Sequence, residues 1–164
     1  MSYYGTPSGF RTYHTARGRP MTEYDDDTAL EALLLVASEW SDGTYGGQFP
    51  GIKTGGRDQA RMWPRAGAYD KFGYAIPSDS VPVEQISAVY EAAYKEGETS
   101  GALLRDYTPS QYKRVSVDGA VSVEYAQFQS AFDAQTRFPV VDHIIAPLLT
   151  GAAVSSLSGS VSRV

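Results

Sequence analysis

The sequence predicts a mainly α-helical fold: a small helical bundle with one β-hairpin and extended N- and C-terminal arms. Three observations carry this. Apolar residues recur at helical spacing after Asp27 and again after Pro82. Two alternating runs flank Asp118-Gly119. Both ends of the chain are rich in turn residues and show no period. On this reading residues 1–24 form an N-terminal arm, residues 25–149 a helical domain with a hairpin at 112–125, and residues 150–164 a flexible C-terminal tail.

The arm carries Tyr3, Tyr4, Phe10 and Tyr13, too many aromatics for a free linker, so it is expected to lie on a surface, its own or a neighbour's. Gly5, Pro7 and Gly9 leave any helix there short or absent. Asp25, Asp26 and Asp27 suit the positive end of a helix, and Thr28-x-x-Glu31 has the form of a capping box. The helix body runs through Leu30, Leu33, Leu34, Ala37 and Trp40, widened by Leu35 and Val36, and Ser41-Asp-Gly43 is expected to end it. The three aspartates lack calcium-loop spacing and read as a solvated helix start.

Residues 41–58 form a long glycine-rich loop with no phosphate-binding pattern. Pro82 suits the first turn of a second helix bearing Val83, Ile86, Tyr90, Ala93 and Tyr94, with Glu84, Glu91 and Lys95 on its other face and Gly97 near its end. Val115, Val117, Val121 and Val123 mark one face of the hairpin. Phe128 and Phe132 weakly support a short helix. A third helix follows Phe138, with Pro139 near its start and Pro147 kinking or ending it. The tail alternates apolar residues with serines, and Leu157, Val161 and Val164 are candidate contacts for a partner groove.

Length and composition bound the function. The 164 residues make one domain with room for a hydrophobic core. With no cysteine there is no disulfide framework and no thiolate chemistry. No apolar run approaches membrane-spanning length and no signal-peptide core is present, so the expected compartment is the cytoplasm or a particle assembled there. Net charge is −5, but residues 51–75 hold five Lys/Arg against two Asp, between acidic stretches at 25–50 and 76–101. An acidic total argues against a general duplex-DNA binder and leaves room for a local basic patch.

That patch centres on Gln59-Ala-Arg-Met-Trp-Pro-Arg-Ala-Gly67. Pro64 fixes its own φ and biases Trp63 towards an extended conformation, with Arg61 and Arg65 on either side. The plainer reading makes Trp63 an apolar anchor for the loop, with Gln59, Arg61, Pro64 and Arg65 around it and Tyr3 and Tyr4 as further interface residues. The sharper reading is a platform for bases of single-stranded DNA across 57–74, using Arg57, Arg61, Trp63, Arg65, Tyr69 and Lys71. Only His14 and His143 are present, no metal-ligand spacing or nucleophile motif appears, and no enzyme activity, metal or cofactor is expected.

The order of pieces resembles a tailed-bacteriophage family that lies among head and tail genes. Its members are labelled head-tail connector (adaptor) proteins or putative DnaT-like single-stranded-DNA-binding proteins. The resemblance runs over about residues 13–149 and rests on Tyr13-His-Thr-Ala-Arg-Gly18, the helix with Leu30, Leu33 and Ala37, Tyr45-Gly-Gly-Gln-Phe-Pro-Gly51, the Gln59…Trp63-Pro-Arg65 core, Ile76-Pro77 with Val81-Pro82, and Phe138-Pro-Val-Val-Asp-His-Ile-Ile-Ala-Pro-Leu-Leu149. The sequence departs at its glycine-rich start. The resemblance implies a structural virion protein at the head-tail junction, a homo-oligomeric ring of about twelve copies. Its expected partners are the portal protein, neighbouring copies, a stopper or tail-side protein and genomic DNA passing through the lumen, with no membrane.

Overall fold

In a computed structural model, residues 2–104, 114–117, 121–124 and 138–150 are described. The elements run α1 (Pro7–Thr15), α2 (Asp27–Tyr45), β1 (Ile52–Lys53), β2 (Arg65–Ala66), α3 (Val83–Glu98), β3 (Arg114–Val117), β4 (Val121–Glu124) and α4 (Pro139–Ile145), with short 3-10 turns between them. The fold is mainly helical. α3 packs along both α2 and α4, and α1 lies across α2 and α3. Two antiparallel ribbons complete the described residues: β1 with β2, and the hairpin β3–β4, in which Val115 opposes Val123 and Val117 opposes Val121. The Asp118-Gly119 turn, the Phe128–Phe132 stretch and the tail bearing Leu157, Val161 and Val164 lie outside the described residues.

The core follows the apolar spacing. Leu30, Leu34 and Ala37 of α2 meet Ala88, Val89, Ala92 and Ala93 of α3, and Val141 and Ile145 close the far side. The alanines of α3 let the helix axes approach closely.

The N-terminal segment differs from the expected surface arm. Pro7 occupies the first turn of α1, and the Thr6 side chain accepts Gly9 N–H at 3.0 Å as its N-cap. Tyr4, Phe10 and His14 are buried in the chain's own core. The glycines have a packing role: Gly5 and Gly9 lie so close to the Tyr90 ring that a Cβ on either would overlap it, and Gly5 takes φ +79°. The Tyr90 hydroxyl oxygen also accepts Thr6 N–H at 3.0 Å, which holds the bend.

Three helix details also differ. α2 is capped by Asp26, which accepts Thr28 N–H at 2.9 Å, so the cap lies two residues before the expected Thr28. α2 continues past Ser41-Asp-Gly43 to Tyr45 because Ser41, Asp42 and Tyr45 all find tertiary partners that outweigh weak local propensity. In α3, Glu91 faces inward, 3% exposed, where the sequence spacing put it on the outer face. Arg19 holds it at 2.8 Å, Tyr13 donates to it at 3.2 Å and Arg17 lies 3.9 Å away.

Candidate nucleic-acid interface

The loop between α2 and α3 holds most of the candidate residues. Its inner part is fixed by Trp63, which is 1% exposed and packs on Phe49 with ring centroids 5.4 Å apart. Burying a side chain of this size contributes roughly 2–3 kcal/mol. The Trp63–Pro64 peptide is cis, and both flanking arginines are turned towards the protein. Arg65 reaches four carbonyls: Pro50 and Gly51 at 2.6 Å, Phe49 and Met62 at 3.3 Å. Its burial pulls the guanidinium pKa below its ordinary value. Arg61 donates to Ser2 O at 2.6 Å and lies 3.3 Å from Glu39 and 3.4 Å from Asp42.

Asp42 is the hub beneath this loop. It accepts the Tyr4 hydroxyl at 2.8 Å and Met62 N–H at 3.3 Å, and desolvation raises its pKa despite those donors. Gln59 staples the outer side, donating to Arg61 O and Pro64 O at 2.8 and 3.0 Å and accepting Gly55 N–H at 2.7 Å. Lys53 spends its ammonium on Gln59 O at 2.8 Å. Tyr3 is half-buried, and a hydrogen bond to Glu31 raises its pKa.

The sharper sequence reading therefore divides. Arg61, Trp63 and Arg65 are turned inward and committed to carbonyls, carboxylates and core, so none offers a face to a base. Arg57, Tyr69 and Lys71 are exposed.

The exposed part is a second turn, at 69–76. Tyr69, Phe72 and Tyr74 are 58%, 68% and 74% exposed, and Ile52 is 72% exposed. They stand on rigid backbone. Asp70 Oδ1 accepts Phe72 N–H at 2.9 Å and Tyr74 N–H at 2.8 Å, while Asp70 N–H donates to Tyr74 O at 2.9 Å. Gly73 supplies the left-handed residue, φ +89°. Tyr69 bridges Ala75, and Lys71 N–H donates to Pro147 O at 2.9 Å, tying the turn to the end of α4. The Lys71 ammonium sits 5.0 Å from the Phe72 ring centroid. Phe72 and Tyr74 are the residues that the contact prediction missed. The available signal was Tyr69…Phe72…Tyr74 around Asp70, Lys71 and Gly73, aromatics at a spacing that fits neither a buried strand nor a helix face.

Among the described residues no group of three or more His, Asp and Glu is placed to hold a metal ion, and no helix is long and apolar enough to cross a membrane. His143 is exposed on α4.

Fold and surface together define a small helical domain that presents aromatic rings on a braced turn. A family model described as putative DnaT-like ssDNA binding protein matches residues 2–164, and the chain belongs to that family. No curated protein and no solved structure matches it.

Proposed function

We propose that this protein binds single-stranded DNA through the turn 69–76, with bases stacking on Tyr69, Phe72 and Tyr74 and phosphates meeting Lys71 and Arg57. The observation that carries this is the set of three exposed rings on a turn fixed by Asp70. The family supports it. Stacking is worth about 1–3 kcal/mol per base and tolerates any sequence. Two cations imply a shallow salt dependence, a log–log slope of about −1.4 at roughly −0.7 per neutralised phosphate. Binding of a fluorescein-labelled oligonucleotide, followed by anisotropy at two salt concentrations, tests the reading. Saturable binding that survives moderate salt and weakens about 5- to 100-fold on Phe72→Ala supports it; no binding at low salt overturns it.

A second reading is favoured by the same apolar rings together with the net charge of −5. Exposed Ile52, Phe72, Tyr74, Val83, Leu104 and Val140 suit burial against protein better than against phosphate. In this reading the protein is a structural component of a phage virion, a ring-forming head-tail connector whose work is interface burial between the portal, its own copies and a tail-side protein. Mixing with portal rings, followed by sedimentation, tests it directly.

A further inference from the structure

A groove of about 260 Å³ lies at the foot of the 69–76 turn, between it, the start of α3 and the end of α4. Pockets that take drug-sized molecules run from roughly 300 to 1,000 Å³, so this one is sized for a single ring system. Its walls are mixed in character. Tyr74, Ile76, Val81 and Leu148 give it apolar surface, and the carboxylates of Asp70 and Glu84 line it as well. Tyr74 belongs both to this groove and to the exposed aromatic turn, with 74% of its surface open. A base that stacks there meets a place beside the ring where its edge can be read.

The polar groups of the groove differ in what they have left to offer. Asp70 Oδ1 is committed to the N–H groups of Phe72 and Tyr74 at 2.9 and 2.8 Å. Glu84 makes no hydrogen bond or ion pair among the described residues. It sits in the first turn of α3, which begins at Pro82 without a side-chain cap, so the backbone N–H groups of that turn are open donors. The groove thus sets a carboxylate, which only accepts, beside amides, which only donate.

Base edges answer this arrangement unequally. Guanine carries two neighbouring donors, N1–H and the N2 amino group, with the acceptor O6 next to them. Two adjacent donors match the two oxygens of one carboxylate, and a charge-assisted pair of this kind is strong and directional. Thymine offers a single N3–H between two carbonyl oxygens, both of which a carboxylate repels. Adenine and cytosine each place one amino donor beside a ring acceptor, so one carboxylate oxygen meets a lone pair. A carboxylate also repels phosphate, which leaves the strand's backbone to Lys71 on the other side of the turn.

We infer that this groove is a base-reading subsite that selects guanine in single-stranded DNA. Tyr74 stacks the base, Glu84 accepts N1–H and the N2 amino group, and an amide of the first turn of α3 donates to O6. The inference rests on the nucleic-acid reading and adds a base preference that stacking alone does not supply.

The test compares fluorescein-labelled oligothymidine with the same strand carrying one central guanine, by anisotropy at low salt. The guanine strand is expected to bind about 5- to 100-fold more tightly. Inosine at that position, which lacks the N2 amino group, is expected to lose most of the gain, and 7-deazaguanine, which keeps the whole pairing edge, to retain it. Glu84→Ala is expected to bring the guanine and thymine strands to equal affinity. Equal affinity of the two strands for the parent protein overturns the inference and leaves the single-stranded-DNA reading standing. A preference that persists with inosine, or in Glu84→Ala, overturns the pairing with Glu84. If no strand binds at all, the reading itself falls and the inference with it.

Discussion

The Tyr4 hydroxyl accepts the backbone N–H of Trp63 at 3.0 Å and donates its own O–H to Asp42 Oδ1 at 2.8 Å. One oxygen thus satisfies a buried amide and a buried carboxylate that come from two different parts of the chain. Tyr4→Phe removes it while keeping the ring. The expected loss is about 1–3 kcal/mol, because both partners stay buried without their hydrogen bond. Calorimetry is expected to show the melting temperature falling by roughly 2–4 °C per kcal/mol lost.

Trp63→Ala is expected to destabilise by about 3–5 kcal/mol, from lost burial and the cavity left against Phe49. Chemical denaturation measures this. A variant as stable as the parent would remove Trp63 from its place as the anchor of the loop.

The aromatic turn predicts the opposite pattern. Phe72→Ala and Tyr74→Ala act on rings that are 68% and 74% exposed, so stability is expected to change by no more than about 0.5 kcal/mol. Oligonucleotide affinity is expected to fall about 5- to 100-fold for each ring removed. Arg65→Ala separates the two roles in the other direction: it costs stability through the orphaned carbonyls and leaves the affinity of the remaining folded protein nearly unchanged.

His14 gives the fold a pH dependence. Its Nε2–H donates to Tyr90 O at 3.1 Å, and Arg19 donates to Nδ1 at 2.8 Å, which fixes the neutral tautomer. Burial lowers its pKa below the ordinary 6.5, against the opposing pull of the Tyr90 carbonyl and Glu91, and Arg19 and Arg17 add to the lowering. Tyr13 and Tyr94 are the other titratable groups against the ring. The unfolded chain therefore takes up this proton first as pH falls. The stability this histidine contributes is complete above about 6.5 and is lost as pH drops through its lower folded value. Asp42, raised by burial, works in the opposite sense. Denaturation midpoints measured from pH 7.5 down to about 5 are expected to decline in the parent and to decline less in His14→Gln.

The long helices were legible in the sequence because their partners are apolar and their spacing is regular. Leu30, Leu34 and Ala37 announce a buried face whatever lies opposite. Glu91 could not be read this way: its spacing matches a solvated face, and the cations that bury it come from Arg17 and Arg19, more than seventy residues earlier. α1 was obscured for a related reason. Gly5 and Gly9 look like helix breakers until the ring of Tyr90 is seen to need their missing side chains. At the candidate site, Trp63 beside proline was legible as an anchor. The direction of its arginines was not, since nothing in the residue types tells which way carbonyls 49–51 will face. The exposed rings at 69–74 were visible as a cluster, but their availability follows from the Asp70 turn.

The bond from Tyr90 to Thr6 spans 84 positions, and it has a consequence for the newborn chain. At roughly 5–20 residues per second, Tyr90 is added on the order of 4–17 s after Thr6. During that wait Tyr4 can already meet Ser38, Asp42 and Trp63, while Phe10 still lacks the Tyr90 ring it packs against at 5.9 Å. Gly5 and Gly9 keep open the seat that Tyr90 is the last to fill, since a side chain at either position would occupy it first.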